Sequence, residues 1–239
     1  MDLQSLAVFL AFAMFIGGFG ALVIWSIRAE RARQAAMTAL AAARGWRYEH
    51  EQRGARQASR FVIHPEGAGD DWQLQVTRPR SGGKRRSSHP GSSEFRTPSP
   101  ALPDGLVVVM PEMGKGIAGA AATMAGLFDN RIGRALISKS LGPEIGEHLG
   151  RLQDFPAPEG SRAMVLATAD PSLWFDIAAI AEAIHSWHPR KGSDRSAPMV
   201  VIDAGGFRMR VNYEVGDPDL VEQFIALGQQ VQQVAARNR

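Results

Sequence analysis

The sequence predicts an α+β fold, in which a mostly antiparallel sheet is covered by helices and follows one N-terminal transmembrane helix. Three observations predict it. The run from Leu6 to Ile27 holds twenty-two residues without a charged side chain. Short segments of alternating apolar and polar residues begin at Trp46, and amphipathic helical patterns return near the C-terminus. Because turn residues separate most of the strand-like runs, neighbouring strands are expected to be antiparallel.

The run from Leu6 to Ile27 has the length of a membrane anchor. As a helix it spans roughly 33 Å, against about 30 Å for the hydrocarbon core of a bilayer. Twelve of its residues are Leu, Ile, Val or Phe, and their summed preference for insertion is on the order of −5 kcal/mol. A cleaved signal peptide is the alternative, but such peptides have a basic start and a shorter apolar core. The sequence therefore predicts an anchor over residues 1–27.

The flanking charges predict how this anchor is oriented. Only Asp2 and the α-amino group precede it, whereas Arg28, Arg31 and Arg33 follow it directly. Because basic residues stay on the cytoplasmic side, we expect the N-terminus outside the membrane and residues 45–239 in the cytoplasm. Trp25 suits the interface, so it and the three arginines are expected to contact membrane lipid.

Small residues at Ala13, Gly17 and Ala21 recur every fourth position of the anchor. This spacing lets two membrane helices approach closely, so the sequence allows a homodimer through this face. The alternative is that Gly and Ala are simply common in membrane helices.

After the anchor, residues 28–44 are predicted as a juxtamembrane helix that ends at Gly45. Strands are then predicted over 46–50, 60–64 and 71–78, and the last of these alternates Trp72, Leu74 and Val76 with polar residues. Such alternation is typical of an antiparallel sheet with one wet face.

A basic, Gly- and Ser-rich loop covers residues 79–93 and contains Lys84, Arg85 and Arg86. A solvated loop is one interpretation, and contact with lipid head groups is another. Nucleic acid is not expected as a partner, because the cluster is short and has no aromatic residues for base stacking. The net charge of +3 hides this concentration: residues 28–60 hold eight Arg against three Glu, and residues 78–86 hold five basic residues and no acidic one.

A strand over 94–97 and a buried strand over 106–110 come next, followed by Gly- and Ala-rich helical segments between residues 117 and 152. The turn Gly114-x-Gly116-x-x-Gly119 resembles a dinucleotide-binding loop, in which backbone N–H groups meet a pyrophosphate. No clear parallel strand follows, and no acidic residue is placed to hold a ribose. These glycines are therefore only weak candidates for binding a nucleotide or another small ligand.

The C-terminal third is predicted as strand, helix, hairpin and helix. A strand over 163–169 leads to Asp170-Pro171, which is a favourable helix start. A hairpin over 199–215 turns at Gly205-Gly206, and Asp217-Pro218 opens the last helix. The expected core residues lie on the apolar phase of their elements: Trp46, Trp72, Leu106, Val108, Val165, Leu166, Ile177, Ile184, Val201 and Phe224.

No catalytic or metal-binding pattern stands out. Cysteine is absent, which excludes disulfides and thiol chemistry. Glu182 and His185 have the i, i+3 spacing of half a di-iron motif, and Glu144, Glu147 and His148 offer further ligand atoms, but the long helices of a bundle are missing. No catalytic residue, metal or cofactor is therefore assigned.

The junction Gly45-Trp46-Arg47-Tyr48, after an anchor and an Ala/Arg-rich helix, resembles a group of uncharacterised bacterial single-pass membrane proteins. Leu102-Pro103, Val109-x-Pro111 and Ala169-Asp170-Pro171 fit the same arrangement. The resemblance implies a bacterial inner-membrane protein with a cytoplasmic α+β domain, and it implies no activity.

Two functional expectations follow. The first is a membrane-tethered, non-enzymatic module that binds a protein partner, since tethering raises the effective concentration of weak contacts. The alternative is a ligand-binding or enzymatic domain that uses the turn from Gly114 to Gly119.

Overall fold

A computed structural model describes residues 3–51, 59–67, 71–78, 91–111, 148–187 and 197–236, with the side chains of residues 3–17 and 149 outside the described part. The chain is α+β, as predicted. The described residues form one nine-stranded sheet in which every pair of neighbouring strands is antiparallel.

The first helix, α1, runs without a break over Leu3–Arg44. It ends at Arg44, just before Gly45, whose φ of +66° is a conformation that glycine adopts without strain, so the predicted helix stop is confirmed. The helix contains the predicted anchor, although the side chains of residues 6–17 lie outside the description. Within the part that was described, no helix is long and apolar enough to cross a membrane.

The strands follow the order β1-β2-β3-β4-β9-β8-β5-β7-β6 across the sheet. Only β6 has no counterpart among the predicted strands, and it pairs with β7 at the edge. The strands are β1 (Trp46–Glu51), β2 (Arg60–Pro65), β3 (Gln73–Thr77), β4 (Ser92–Thr97), β5 (Val107–Pro111), β6 (Gln153–Phe155), β7 (Ala163–Ala167), β8 (Met199–Asp203) and β9 (Gly206–Val211).

One face of the sheet carries the main core, which we call the helical face. Helix α2 (Ile177–His185) and helix α3 (Pro218–Ala236) supply buried apolar stripes to it, and the end of α1 adds Met37. Helix α3 approaches β4 closely, because a Cβ on Gly228 would lie 2.5 Å from the ring of Phe95. Nine of the ten predicted core residues are buried in the molecule, and Trp46 is partly buried.

The opposite face of the sheet, which we call the open face, has two halves. Over β5, β7 and β8 it carries a second apolar cluster that includes Leu106, Val108 and Leu166. Over β3, β4 and β9 it carries polar side chains, because the alternation on these strands points their apolar residues to the helical face. The predicted wet face is thus confined to one half of the sheet.

The strand directions define two ends of the sheet. At one end Arg60 pairs with Thr77, and Thr77 with Ser92, and here the chain continues to Arg78 beside α1. We call this the junction end. At the other end Thr97 pairs with Phe207, and Asp203 with Gly206, and we call this the far end.

The predicted helix start at Asp170 is wrong. Asp170 accepts a hydrogen bond from Ser172 N and caps only a short 3₁₀ turn, Pro171–Leu173. The α-helix begins at Ile177 instead, where the carboxylate of Asp176 accepts from Ala179 N. Leu173, in the 3₁₀ turn, is exposed. The helices predicted over 117–128 and 130–140 lie outside the described residues.

Candidate functional site

The most distinctive surface of the molecule is an apolar segment of α1 that remains exposed, and we call it the exposed segment (residues 18–29). Every residue in it is exposed except Gly20, which is intermediate. Apart from Leu173, the exposed large hydrophobic residues of the described chain all belong to it: Phe19, Leu22, Val23, Ile24, Trp25 and Ile27, which are 41% to 70% exposed. A contiguous apolar surface of this kind is typical of a membrane or protein contact.

The same helix then packs onto the domain. Arg28 and Arg31 are exposed, whereas Met37 and Ala41 are only 1% and 2% exposed. Within about three turns, the helix therefore passes from the exposed segment to a part that packs on the domain. The third predicted lipid contact, Arg33, is partly buried and takes part in ion pairs.

A cluster of four charged residues, which we call the ionic junction, fastens α1 to the sheet. Arg78, just after β3, donates from Nη1 to Glu30 at 2.7 Å and from Nε to Glu214 at 2.6 Å. Arg33 pairs with Glu30 and lies 3.1 Å from Glu214. The cluster therefore joins three parts of the fold: α1, the end of β3 and the segment that leads into α3.

Neighbouring titratable groups respond to this cluster. Burial raises the pKa of Glu30, but the hydrogen bond and charge of Arg78, with those of Arg33, outweigh it, so the net shift is downward. Burial lowers the pKa of His50, and the charge of Arg78 lowers it further. Burial also raises the pKa of Tyr48, whose ring stacks on His50 with centroids 6.4 Å apart. The junction is thus an ordered, partly desolvated electrostatic unit.

Several predicted site residues lie outside the described part of the chain. Lys84, Arg85 and Arg86 are among them, although Arg78 and Gly91, the described residues on either side, are at the junction end. The weak ligand candidates Gly114, Gly116 and Gly119 are also outside it, and so are the side chains of Ala13 and Gly17. These predictions therefore stay predictions.

A cleft of about 560 Å³ opens on the polar half of the open face, at the far end of the sheet. Arg96 on β4 and Arg208 on β9 are direct cross-strand partners in its wall. Two like charges in such positions destabilise a sheet unless other groups compensate. The cleft is lined by Asp71, Gln73, Glu94, Arg96, Thr97, Pro98, His148, Asp203, Ala204, Gly205 and Arg208.

The two arginines of the cleft are held differently. Arg208 pairs with the buried carboxylate of Asp203, which also accepts a hydrogen bond from Gly205 N at 2.8 Å. Arg96 donates from Nε and Nη2 to the amide oxygen of Gln73. A neutral amide orients the guanidinium of Arg96, and no carboxylate of the described residues forms an ion pair with it.

The pair Glu182 and His185, which has the spacing of half a di-iron motif, does not converge with further ligands in the described residues. No group of three or more His, Asp or Glu side chains there is arranged to hold a metal ion. Glu182 and His185 are both exposed on α2, and Glu144 and Glu147 are outside the description. His148 lies in the cleft.

The ionic junction and the cleft were not predicted from the sequence. Arg78 and Glu214 each follow a strand, and only the tertiary fold brings them to α1. Arg96 and Arg208 do carry a local signal, since each is a charged residue within an alternating strand. Comparison of the chain with protein-family models, with curated proteins and with solved structures found no match.

Proposed function

We propose that the chain is a membrane-tethered, non-enzymatic module that binds a protein partner at the cytoplasmic face of a bacterial inner membrane. The observation that carries the proposal is the exposed segment of α1. Its six large apolar side chains face solvent, while the core takes up almost every other large hydrophobic residue described. Burying them in lipid removes that apolar area from water, and at about 25 cal/mol per Å² this is strongly favourable.

The charges support the proposed orientation. Arg28 and Arg31 are exposed at the end of the apolar segment, where they can reach anionic head groups. The basic residues Lys84, Arg85 and Arg86 belong to a connection whose described flanks lie at the junction end, close to Glu30. We therefore propose that the junction end of the sheet faces the membrane and that the far end faces the cytoplasm.

The ionic junction supports a role in presenting the domain. Because Arg78 binds both Glu30 and Glu214, the helix that leaves the bilayer is fastened to the sheet rather than joined by a loose linker. A domain held in this way samples a thin layer beside the membrane, which raises its effective concentration toward other membrane-bound proteins. A homodimer through Ala13, Gly17 and Ala21 would add a second tether, and a Gly17→Leu variant that keeps the oligomeric state would contradict it.

Two glycines of α1 allow a clean test of the anchor. A Cβ at Gly18 or Gly20 would have no heavy atom within 4 Å, so substitutions there should leave the domain intact. Two central arginines cost about 5 to 7 kcal/mol for insertion, as much as the whole favourable sum of the apolar run. We expect the G18R/G20R variant to be released from bacterial membranes by alkaline carbonate, whereas the native chain and the matched G18L/G20L variant stay in the pellet.

Release of the native chain by carbonate would overturn the proposal that α1 anchors the chain in the membrane. The partner is tested separately by mild crosslinking of the full chain in its native membranes, purification and mass spectrometry. We expect a second protein in near-equal amount that is lost when the domain from residue 45 onward is removed. A chain that is retained in the membrane but purifies alone would contradict the binding role and leave the anchor standing.

A further inference from the structure

We propose that the cleft at the far end of the sheet binds a small, water-soluble zwitterion of the amino-acid type. Its oxyanion group would lie beside Arg96, and its ammonium group would face Asp71 and Glu94. The volume of about 560 Å³ is within the range of small-molecule sites.

The anionic half of the ligand is inferred from the paired arginines. Arg96 and Arg208 are register partners on adjacent strands, so their side chains leave the sheet side by side on the same face. Arg208 is oriented by the buried Asp203 carboxylate, and Arg96 by the Gln73 amide. Arg208 already pairs with a carboxylate, so the guanidinium left to bind a ligand is that of Arg96, whose remaining N–H groups can bind a carboxylate or phosphate through parallel N–H···O bonds. Such a group would also compensate the charge of Arg96.

The cationic half is inferred from the carboxylates of the same wall. Asp203 is already engaged by Arg208 and by Gly205 N. Asp71 and Glu94 also line the cleft, and neither forms an ion pair within the described part of the chain. Two carboxylates beside the arginines would repel a polyanion and attract an ammonium group. The combination therefore favours a ligand with both charges over a simple anion.

The position of the cleft at the far end of the sheet favours a free metabolite over a lipid head group that carries the same two charges. Gln73 and Thr97 of the cleft are at the far end of their strands, and Arg78 of the ionic junction follows the opposite end of β3. A five-residue strand separates these ends by roughly 14 to 17 Å. If the junction end faces the membrane, as the proposed function has it, the cleft is turned to the cytoplasm, and its ligand is soluble.

The test uses the full chain in detergent and follows its thermal unfolding with single L-amino acids at fixed concentration. For any amino acid that raises the midpoint, the deaminated acid and the decarboxylated amine are matched probes with one charge each. We expect the amino acid to stabilise the chain and both single-charge probes to fail. O-phosphoethanolamine, the soluble form of a lipid head group, is the fourth probe.

Variants locate the site. The R96Q variant loses the charge-assisted bonds of Arg96, so its affinity for the amino acid should be roughly 10- to 100-fold lower. The matched control R47Q removes an exposed arginine of β1 outside the cleft and should bind normally. The zwitterion is overturned if no amino acid shifts the midpoint, if the deaminated acid binds equally well, or if R96Q binds like R47Q. If O-phosphoethanolamine binds more strongly than the amino acid, the proposal that the ligand is a free metabolite is overturned. Membrane retention of the chain is a separate result that none of these outcomes alters.

Discussion

At the scale of single residues, the buried hydroxyl of Ser93 shows how β4 is joined to the segment before α3. The side chain is fully buried, donates to Tyr213 O at 2.9 Å and accepts from Val215 N at 2.8 Å. It thus satisfies two backbone groups that belong to a distant part of the chain. Glu214 of the ionic junction lies between those two groups, so Ser93 also helps to position its carboxylate.

Replacing Ser93 by Ala should therefore lower the free energy of unfolding by more than an ordinary polar substitution does. Val215 N would lose its partner in a buried site, which costs about 1 to 3 kcal/mol of unfolding free energy. The control is Ser92→Ala at the neighbouring, less buried position, whose cost should be within about 0.5 kcal/mol. Urea unfolding of the full chain in detergent, followed by tryptophan fluorescence, measures both. Equal stability of the two variants would show that the Ser93 bonds contribute nothing net.

Which residues face the core was largely predictable from the sequence. Burial of Trp72, Leu74 and Val76 was expected from their alternation, because each second residue of a strand points to the same face. The role of Ser93 was not predictable, since the sequence places it in the basic loop over 79–93, whereas in the structure it belongs to β4. Its partners become its neighbours only when the sheet and α3 have formed.

At the scale of elements, the ionic junction makes the docking of α1 sensitive to acid. The pKa of Glu30 is lowered in the folded chain, so its carboxylate contributes stability above the ordinary pKa of a glutamate, about 4.3. That contribution is lost as the pH falls through the lowered pKa of the folded state. Because the ion pair between Glu30 and Arg78 is partly exposed, its contribution to the free energy of unfolding is about 0.5 to 1 kcal/mol.

A Glu30→Gln variant should therefore be less stable than the native chain at pH 7, and the difference should close near pH 3. Unfolding free energies at the two pH values test this. The control Glu159→Gln changes an exposed residue that forms no ion pair within the described part of the chain, and this variant should match the native chain in stability at both pH values. A constant difference between Glu30→Gln and the native chain at both pH values would mean that the charge of Glu30 is not what stabilises the junction.

The helices illustrate what local signals can and cannot decide. Two Asp-Pro pairs looked alike in the sequence, and only Asp217-Pro218 opens an α-helix at the expected position. After Asp170 the chain makes a single 3₁₀ turn, and Phe175 enters the core before the helix starts at Ile177. The helix therefore starts six residues later than the cap and the proline predict.

At the scale of the whole molecule, the sheet order was beyond the sequence. The α+β class and the antiparallel pairing followed from short alternating runs with turns between them. Strand β4, however, pairs with β9, and β5 lies between β7 and β8. Such pairings join segments far apart in the chain, and nothing local distinguishes one apolar strand from another as a partner. The cleft between Arg96 and Arg208 depends on one of these pairings, so it could not be foreseen.

The orientation of the whole chain is a prediction that reporter fusions can check. With the native sequence, a fluorescent protein fused after Arg239 should fluoresce, and alkaline phosphatase fused there should stay inactive, because the C-terminus is expected inside the cell. Replacing the exposed Arg28 and Arg31 by Gln and adding lysines before Leu6 should shift both signals toward the opposite orientation. These two arginines lie outside the ionic junction, so the domain should fold as before. An active phosphatase on the native chain would reverse the proposed topology.

The unbroken course of α1 has a consequence for geometry. An α-helix turns by about 100° and rises by 1.5 Å per residue. In the proposed membrane-anchored chain, the number of residues between Ile27 and Glu30 would therefore set the direction in which the cleft points around the membrane normal. One inserted residue would swing the domain by more than a quarter of a circle, whereas seven would return it to within about 20° and only raise it. The number of residues in α1 would thus fix the rotation of the domain about the helix axis.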